Sequence, residues 1–371
     1  MRKFSIPDSV KFFVSSSKLS AELIRILHST KREASLDAQE IPSALLISAD
    51  NAFKALGEAV FLECTKAGIN LSLELNPLIS KDLIYNPISE RYLKDKSPII
   101  AVGGGKILDY AKYLAFKTGR IFISIPSIAS HDGIFSPISV ISGFSLGSKM
   151  PEHLLICLDT LKRAAILNIQ AGIGDLIANI TALNDFYLSN YINAESLDPE
   201  AINLSLTGSL ELIEFILENR INDTKDQSLQ DFLHSEDFLK QFIRSLVLSG
   251  MAMHKANSSR PCSGSEHLIS HAIDAIYGHA NKAAHGLQVA VASYYVYPRQ
   301  LEILRKFKIK PSAEIDLDDL FDKCQLPKFF SDIAISEEEL EYVLKLAPKT
   351  RSNKFSILSE SADIDLALQS L

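Results

Sequence analysis

The chain has 371 residues, 47% of them hydrophobic and 22% charged, with a formal net charge of -7. That length suits two domains with sizeable cores, and an acidic balance without a basic block argues against nucleic acid or an anionic membrane as partner. No run of about 20 apolar residues reads as a membrane span, no signal peptide follows Met1-Arg2-Lys3-Phe4, and Cys64, Cys157, Cys262 and Cys324 form no CxxC pair, as expected of reduced thiols in the cytoplasm.

Short apolar runs at 11–14, 44–48, 71–75, 99–102, 121–125 and 154–158 read as strands. Between them lie helical stretches carrying Leu23, Ile24, Ile26 and Leu27, then Ala52, Leu56, Val60 and Leu62, then residues 107–116. Continuous apolar strands alternating with amphipathic helices predict an α/β fold with a parallel sheet covered on both faces. Ligands of such sheets bind beyond the carboxyl ends of the strands. After residue 158 the texture changes to long helical patterns, at about 174–192, 198–218, 237–256, 265–277 and 285–305. Residues 218–231 read as a solvated loop, and Ser336 with Glu339 as a capping box. The boundary is expected near residue 160, with 1–160 an α/β dinucleotide-binding domain and 161–371 an all-helical metal-binding domain. No internal repeat is evident.

Three segments carry chemistry. Gly103-Gly104-Gly105-Lys106 follows a buried strand and opens a helix, where glycines allow close backbone approach and the helix terminus favours a pyrophosphate. It is neither GxGxxG nor a P-loop. Asp50, just past the second strand, is placed either to receive an adenosine ribose or to cap the next helix. Ser127-Ile128-Ala129-Ser130-His131-Asp132-Gly133 forms a polar turn at another strand end, where substrate contact competes with plain turn chemistry. His267 and His271, spaced i and i+4, share one helix face. His285 opens a further helix, and Asp175 with Asn179 sits on an otherwise apolar one, where a carboxylate needs a cation or strong donors. Three of these groups converging would make a divalent-metal site with open positions. Cys262, inside the same motif, reads as a small filler beside Pro261.

The strings GGGKxxDxxK at 103–112, SxxSHDGxxSP at 127–137, GxGDxxxNxTAxxD at 172–185, SSRPxSGSEHxxSH at 258–271 and HGxQV at 285–289 resemble the sn-glycerol-1-phosphate dehydrogenases. These belong to the iron-containing alcohol dehydrogenase and dehydroquinate synthase superfamily. The resemblance implies a nucleotide-binding domain and a helical bundle with the site between them. It also implies metal ligands at Asp175, His267 and His285, with His271 near the metal but not on it. Gly103, Gly104, Gly105 and Lys106 would hold the pyrophosphate, with Asp109 at the loop. Ser127, Ser130 and Ser136 would stand near the cofactor, Asp132 on the substrate and Asp50 on the adenosine ribose. Departures occur at 163–168, at Leu287 where the family commonly has an acidic residue, and in a short segment between Ser142 and Leu155.

The resulting expectation is an NAD- or NADP-dependent enzyme with one divalent metal, zinc first, interconverting dihydroxyacetone phosphate and sn-glycerol-1-phosphate. Arg260 is the candidate partner of the substrate phosphate, with a structural salt bridge as the competing reading, and His271 or a water is the proton relay. A homo-oligomer is expected. The alternatives are a polyol dehydrogenase, a dehydroquinate synthase-like lyase using NAD transiently, and a non-catalytic regulator that kept the fold.

Overall fold

A computed structural model describes residues 4–34, 41–219, 228–278 and 281–359. Eight strands occur among them: β1 (Val10–Phe13), β2 (Ser43–Ser48), β3 (Asn70–Leu75), β4 (Ile99–Gly103), β5 (Phe122–Pro126), β6 (Ile138–Ile141), β7 (Phe144–Gly147) and β8 (His153–Cys157). Six of them form one parallel sheet in the order β1-β8-β5-β4-β2-β3. The central strands β4 and β5 are buried along their whole length, because helices cover both faces. At the edge, β3 is largely exposed, Leu73 and Leu75 included. All six strands fall on the apolar runs read from the sequence.

The hairpin β6–β7 is the part not foreseen. Its two-residue turn, Ser142-Gly143, has both residues in the left-handed region, the geometry that matches strand twist in tight hairpins. A Ser-Gly dipeptide between alternating runs was the available signal.

After β8 the described chain is helical. Ile166–Asn193 is the central helix, begun well before the predicted residue 174, with Pro199–Glu218, Glu236–Ala256, Ser265–Tyr277 and His285–Lys306 around it. Residues 220–227 of the expected solvated loop lie outside the described residues, and Ser228 already caps the short helix Leu229–Leu233. The capping box at Ser336 and Glu339 opens Glu337–Thr350. Ile166–Asn193 is, among the described residues, the one helix long and apolar enough to cross a membrane, a length the composition alone did not suggest; it is mostly buried inside the protein. One continuous core joins Ile99, Leu108 and Phe122 of the sheet half to Ile173, Leu176 and Phe242 of the helical half. Burial of side chains of this size contributes roughly 1.5–3 kcal/mol each, so the cleft between the halves has a rigid floor.

Candidate active site

The Gly-rich loop crosses the carboxyl end of β4. Gly104 stands in the N-cap position of Gly105–Thr118 in extended conformation with no side-chain cap, so the first helical N–H groups remain available to a ligand. The Ser127 N–H donates to the Gly103 carbonyl at 2.9 Å and ties the loop to the end of β5. A Cβ on Gly105 would lie 2.1 Å from Nε2 of His131, so this position accepts only glycine without displacement of that ring.

Gly105, Lys106, Ser130, His131, Asp132 and Ser136 line a cleft of about 1120 Å³ between the two halves. Gly103, Gly104 and Ser127 are not among the residues that line it. Asp50 is exposed at the start of the helix after β2; Ala49, not Asp50, is the N-cap, and the Asp50 N–H takes Oδ1 of Asn76 at 3.1 Å.

Asp109, expected at the cofactor, has internal partners. One edge of it lines the cleft, but Oδ1 lies 3.2 Å from the buried Lys112 ammonium and Oδ2 accepts the Val140 N–H at 3.0 Å. Lys112 in turn donates to the carbonyls of Gly133 (2.9 Å) and Ile138 (2.5 Å). The pair therefore binds helix Gly105–Thr118 to the Asp132 turn and to the hairpin, a positioning task that motif matching does not reveal.

On the helical side, Asp175, His267 and His285 each turn one ligand atom to a common point, all within 4.8 Å of one another. They come from three helices, and the crossing of two depends on Gly286. A Cβ there would lie 1.9 Å from the Ala171 carbonyl oxygen, so the glycine lets His285–Lys306 press against Ile166–Asn193 and brings His285 to Asp175.

The outer hydrogen bonds decide which nitrogen faces inward. Nδ1 of His267 lies 2.8 Å from Oε1 of Glu266, and a carboxylate can only accept, so Nδ1 keeps a proton and Nε2 carries the lone pair once the ring is neutral. Gln288 donates Nε2 to Asp274 and to the Ala283 carbonyl, which turns its Oε1 toward Ser270. Ser270 spends its proton on that oxygen at 2.7 Å and therefore accepts from Nδ1 of His285 at 2.9 Å. Both imidazoles thus offer Nε2 inward. A carboxylate oxygen and two imidazole nitrogens fit a divalent metal of intermediate softness, with coordination positions to spare.

The electrostatics agree with that fit. Burial would raise Asp175, but the hydrogen bond and charge of His267 hold it below the usual carboxylate range. His267 is pushed up to about 9, because Asp175 and Glu266 outweigh burial. His285 is pressed down to about 3 by burial and the neighbouring His267 charge. Asp132 rises to about 7 from burial and the Asp175 charge, although Ser249 donates to it at 2.7 Å. Its own N–H donates to Oδ2 of Asp175 at 2.9 Å.

His271 follows His267 by one turn, yet it is not one of the converging three. Its ring stands 6.4 Å from His267 and 6.2 Å from His285, centroid to centroid, on the cleft wall. Burial and then the Arg351 charge keep it neutral, well below the ordinary imidazole value. The helical spacing alone would have favoured His271 as a ligand; His285 takes that place.

Arg260 does not meet the cleft. Its guanidinium is buried against Glu195 at 2.9–3.1 Å, donates to the Phe355 carbonyl at 2.5 Å and lies over the Phe186 ring. The expected phosphate contact is thereby corrected to a structural ion pair, because Glu195, which arrives just after the central helix, already satisfies the charge. All four cysteines are free and buried, Cys262 among them. In its stead, Arg351 and Thr350 line the cleft from the end of Glu337–Thr350, beyond every motif singled out in the sequence.

Residues 28–164 match the family described as iron-containing alcohol dehydrogenase. The glycerol-1-phosphate dehydrogenase [NAD(P)+] of Hyperthermus butylicus is 31% identical over 285 residues, which cover 74% of this chain and 74% of that protein. The enzyme of the same name from Methanococcus aeolicus is 38% identical over 189 residues, 51% of this chain, and the match spans about half of that relative (52%). Among solved structures, glycerol dehydrogenase from Schizosaccharomyces pombe superposes with a TM-score of 0.67 at 19% identity, covering 100% of this chain and 90% of that one.

Proposed function

The chain belongs to the iron-containing alcohol dehydrogenase family, among its glycerol-1-phosphate dehydrogenases, and from that premise we propose that it interconverts dihydroxyacetone phosphate and sn-glycerol-1-phosphate with NAD(P)H. The observation that carries this reading is the convergence of Asp175, His267 and His285 on the same cleft that receives the glycine loop. Asp175 Oδ1 and the two Nε2 atoms would hold the metal, which we assign as zinc. A divalent cation there supplies Lewis acidity toward a ketone or alkoxide oxygen.

The chain's own residues do the rest. The free N–H groups at Gly105–Thr118 and the Lys106 ammonium receive the pyrophosphate, and Asp50 the adenosine ribose. Asp132, fixed by Ser249 and by its N–H on Asp175, faces the substrate, where burial raises its pKa and suits it to exchange a proton. Neutral His271 presents a lone pair on the cleft wall to relay a proton to or from the substrate oxygen. The apolar share of the wall, with Ile128, Val140 and Leu346, excludes water from the transferring hydride. Buried, free thiols support a cytoplasmic setting, and a homo-oligomer is the assembly we assign.

The test is oxidation of NADH and NADPH, followed by nicotinamide absorbance, with dihydroxyacetone phosphate and with dihydroxyacetone. Chelator-sensitive turnover of the phosphate in preference to the free ketone is the expected result. Equal turnover of both would make the protein a polyol dehydrogenase, and nucleotide binding without net turnover would make it a lyase.

A further inference from the structure

We propose that Arg351, together with the hydroxyls of Ser259 and Ser263 as set by Lys354, forms the subsite for the substrate's phosphate group. The inference rests on the proposed reaction for the substrate's identity, but the subsite's chemistry, a seat for a phosphate dianion, stands on the geometry alone.

Arg351 lines the cleft beside Leu346, Thr350 and His271. Arg351 is half-buried, so its guanidinium has lost part of its water, and that burial depresses its pKa. Among the described residues no carboxylate lies within ion-pair distance of it and no acceptor takes its N–H groups. A desolvated guanidinium without a partner is costly unless a ligand supplies the anion. Arg260 is the contrast: more deeply buried, its charge is answered by Glu195, and it also donates to the Phe355 carbonyl.

The second half of the subsite is Lys354. Its ammonium donates to Ser259 Oγ at 2.8 Å, to Ser263 Oγ at 3.0 Å and to the Ser263 carbonyl at 3.1 Å. It too lacks a carboxylate among the described residues, and burial, followed by the charges of Arg351 and Arg260, presses it down to about 7. Each serine oxygen accepts from the lysine, so each hydroxyl proton is left to donate elsewhere. Both serines line the cleft. Glu266, the carboxylate that partly offsets Lys354, is already held by His267, the Thr181 hydroxyl and the Gly264 N–H.

Among the described residues, two basic side chains without an ion-pair partner, Arg351 on the wall and Lys354 bonded to its serines, therefore meet two hydroxyl donors. A phosphate monoester brings two negative charges and three acceptor oxygens, which answers that set in number and in kind. The position also suits the reaction. Arg351 is the strongest charge acting on His271, and His271 stands within 6.4 Å of the rings of both histidines that face Asp175. A small ketose phosphate can then place its carbonyl at the three ligands and its phosphate at Arg351. The nucleotide pyrophosphate is received at Gly105 and Lys106, on elements of the other half.

The experiment uses the zinc-loaded protein saturated with NAD, so that the glycine loop is covered, and titrates it with inorganic phosphate by calorimetry. Wild type is expected to bind phosphate, and Arg351→Gln to weaken it by about 30-fold, the scale of one charge-assisted contact. Arg351→Lys, which keeps a charge but loses the fork, should recover part of that loss at unchanged melting temperature. In steady-state assays the preference for dihydroxyacetone phosphate over dihydroxyacetone should fall by a similar factor in Arg351→Gln, chiefly through KM. Ser263→Ala should move the same ratio in the same direction by about threefold to tenfold. Phosphate bound equally by wild type and Arg351→Gln, or not bound by wild type, overturns the subsite. Phosphate binding that depends on Arg351 without turnover of dihydroxyacetone phosphate keeps the subsite and overturns only the proposed reaction.

Discussion

The two walls of the cleft are built by opposite means. On the nucleotide side the groups offered to a ligand are largely backbone N–H groups, delivered by a single turn between β4 and its helix. On the metal side they are side chains of Asp175, His267 and His285, brought together from three helices and each locked by a further hydrogen bond. A local turn tolerates change elsewhere in the chain, whereas a point where three helices converge depends on every crossing that produces it. The comparison predicts that damage to the metal wall is total and that damage to the nucleotide wall is graded.

The largest effect should follow Asp175→Asn. It removes the anionic ligand, and it weakens the hold on His267 Nε2, which now lies 3.6 Å from Oδ1. Metal content should fall to background and kcat/KM by about a thousandfold or more. NAD affinity, measured by calorimetry, should stay within about threefold, because no nucleotide contact passes through this residue. Loss of NAD binding to the same extent would show that the two walls are not separable.

A pair of glycine substitutions sharpens the contrast. In Gly286→Ala the new Cβ meets the Ala171 carbonyl oxygen at 1.9 Å, backbone against backbone, so the helices must part. Destabilisation by about 3 kcal/mol is expected in denaturant melts, with loss of metal. In Gly105→Ala the clash is with the His131 ring, a side chain that can swing away. Stability should fall by about 1 kcal/mol, while KM for the nucleotide rises roughly tenfold as the loop is held off the pyrophosphate. Equal stability losses in both would dissolve the distinction.

The same difference explains what could be read from the chain itself. All six strands of the parallel sheet and the glycine loop were legible, because apolar runs and Gly-Gly-Gly are local patterns. Asp175 was legible as a carboxylate in an apolar helix, and His285 as a histidine at a helix start. Arg260 was misread because its partner Glu195 is remote in sequence, and nothing local announces a buried ion pair. The anchors of Asp109 were hidden in the same way, its carboxylate being held by Lys112 and by Val140 of an unforeseen hairpin. Arg351 and Lys354 went unnoticed because, in a polar segment after a helix, they look like any surface cations until the fold closes over them.

Metal uptake offers a smaller, continuous test. In the metal-free protein His267 titrates at about 9, whereas His285, at about 3, is neutral throughout the physiological range. A ligating imidazole must be deprotonated. Zinc binding near pH 7.5 should therefore release about one proton from His267, and apparent affinity should fall about tenfold for each pH unit below 9. Calorimetry in buffers of different ionisation enthalpy reads the proton directly. Release of two protons would mean that His285 is not the neutral partner its surroundings make it.

The smallest effect belongs to the far end of the nucleotide wall. Asp50 begins the helix after β2, exposed, with Ala49 rather than itself as the N-cap. Its backbone N–H is taken by Asn76, but among the described residues no donor holds its carboxylate, so that group is free to meet a ribose. A carboxylate there accepts from a 2′-hydroxyl and repels a 2′-phosphate. Across a solvated edge such repulsion amounts to about 1 kcal/mol. Asp50→Ala should therefore shift the ratio of kcat/KM for NADH over NADPH by about fivefold toward NADPH. The effect should shrink as salt is raised, because an exposed charge is screened over roughly 10 Å at 0.1 M. A ratio that does not move, with both cofactors affected alike, would assign Asp50 to the helix start alone and leave the choice of nucleotide to the backbone of the wall.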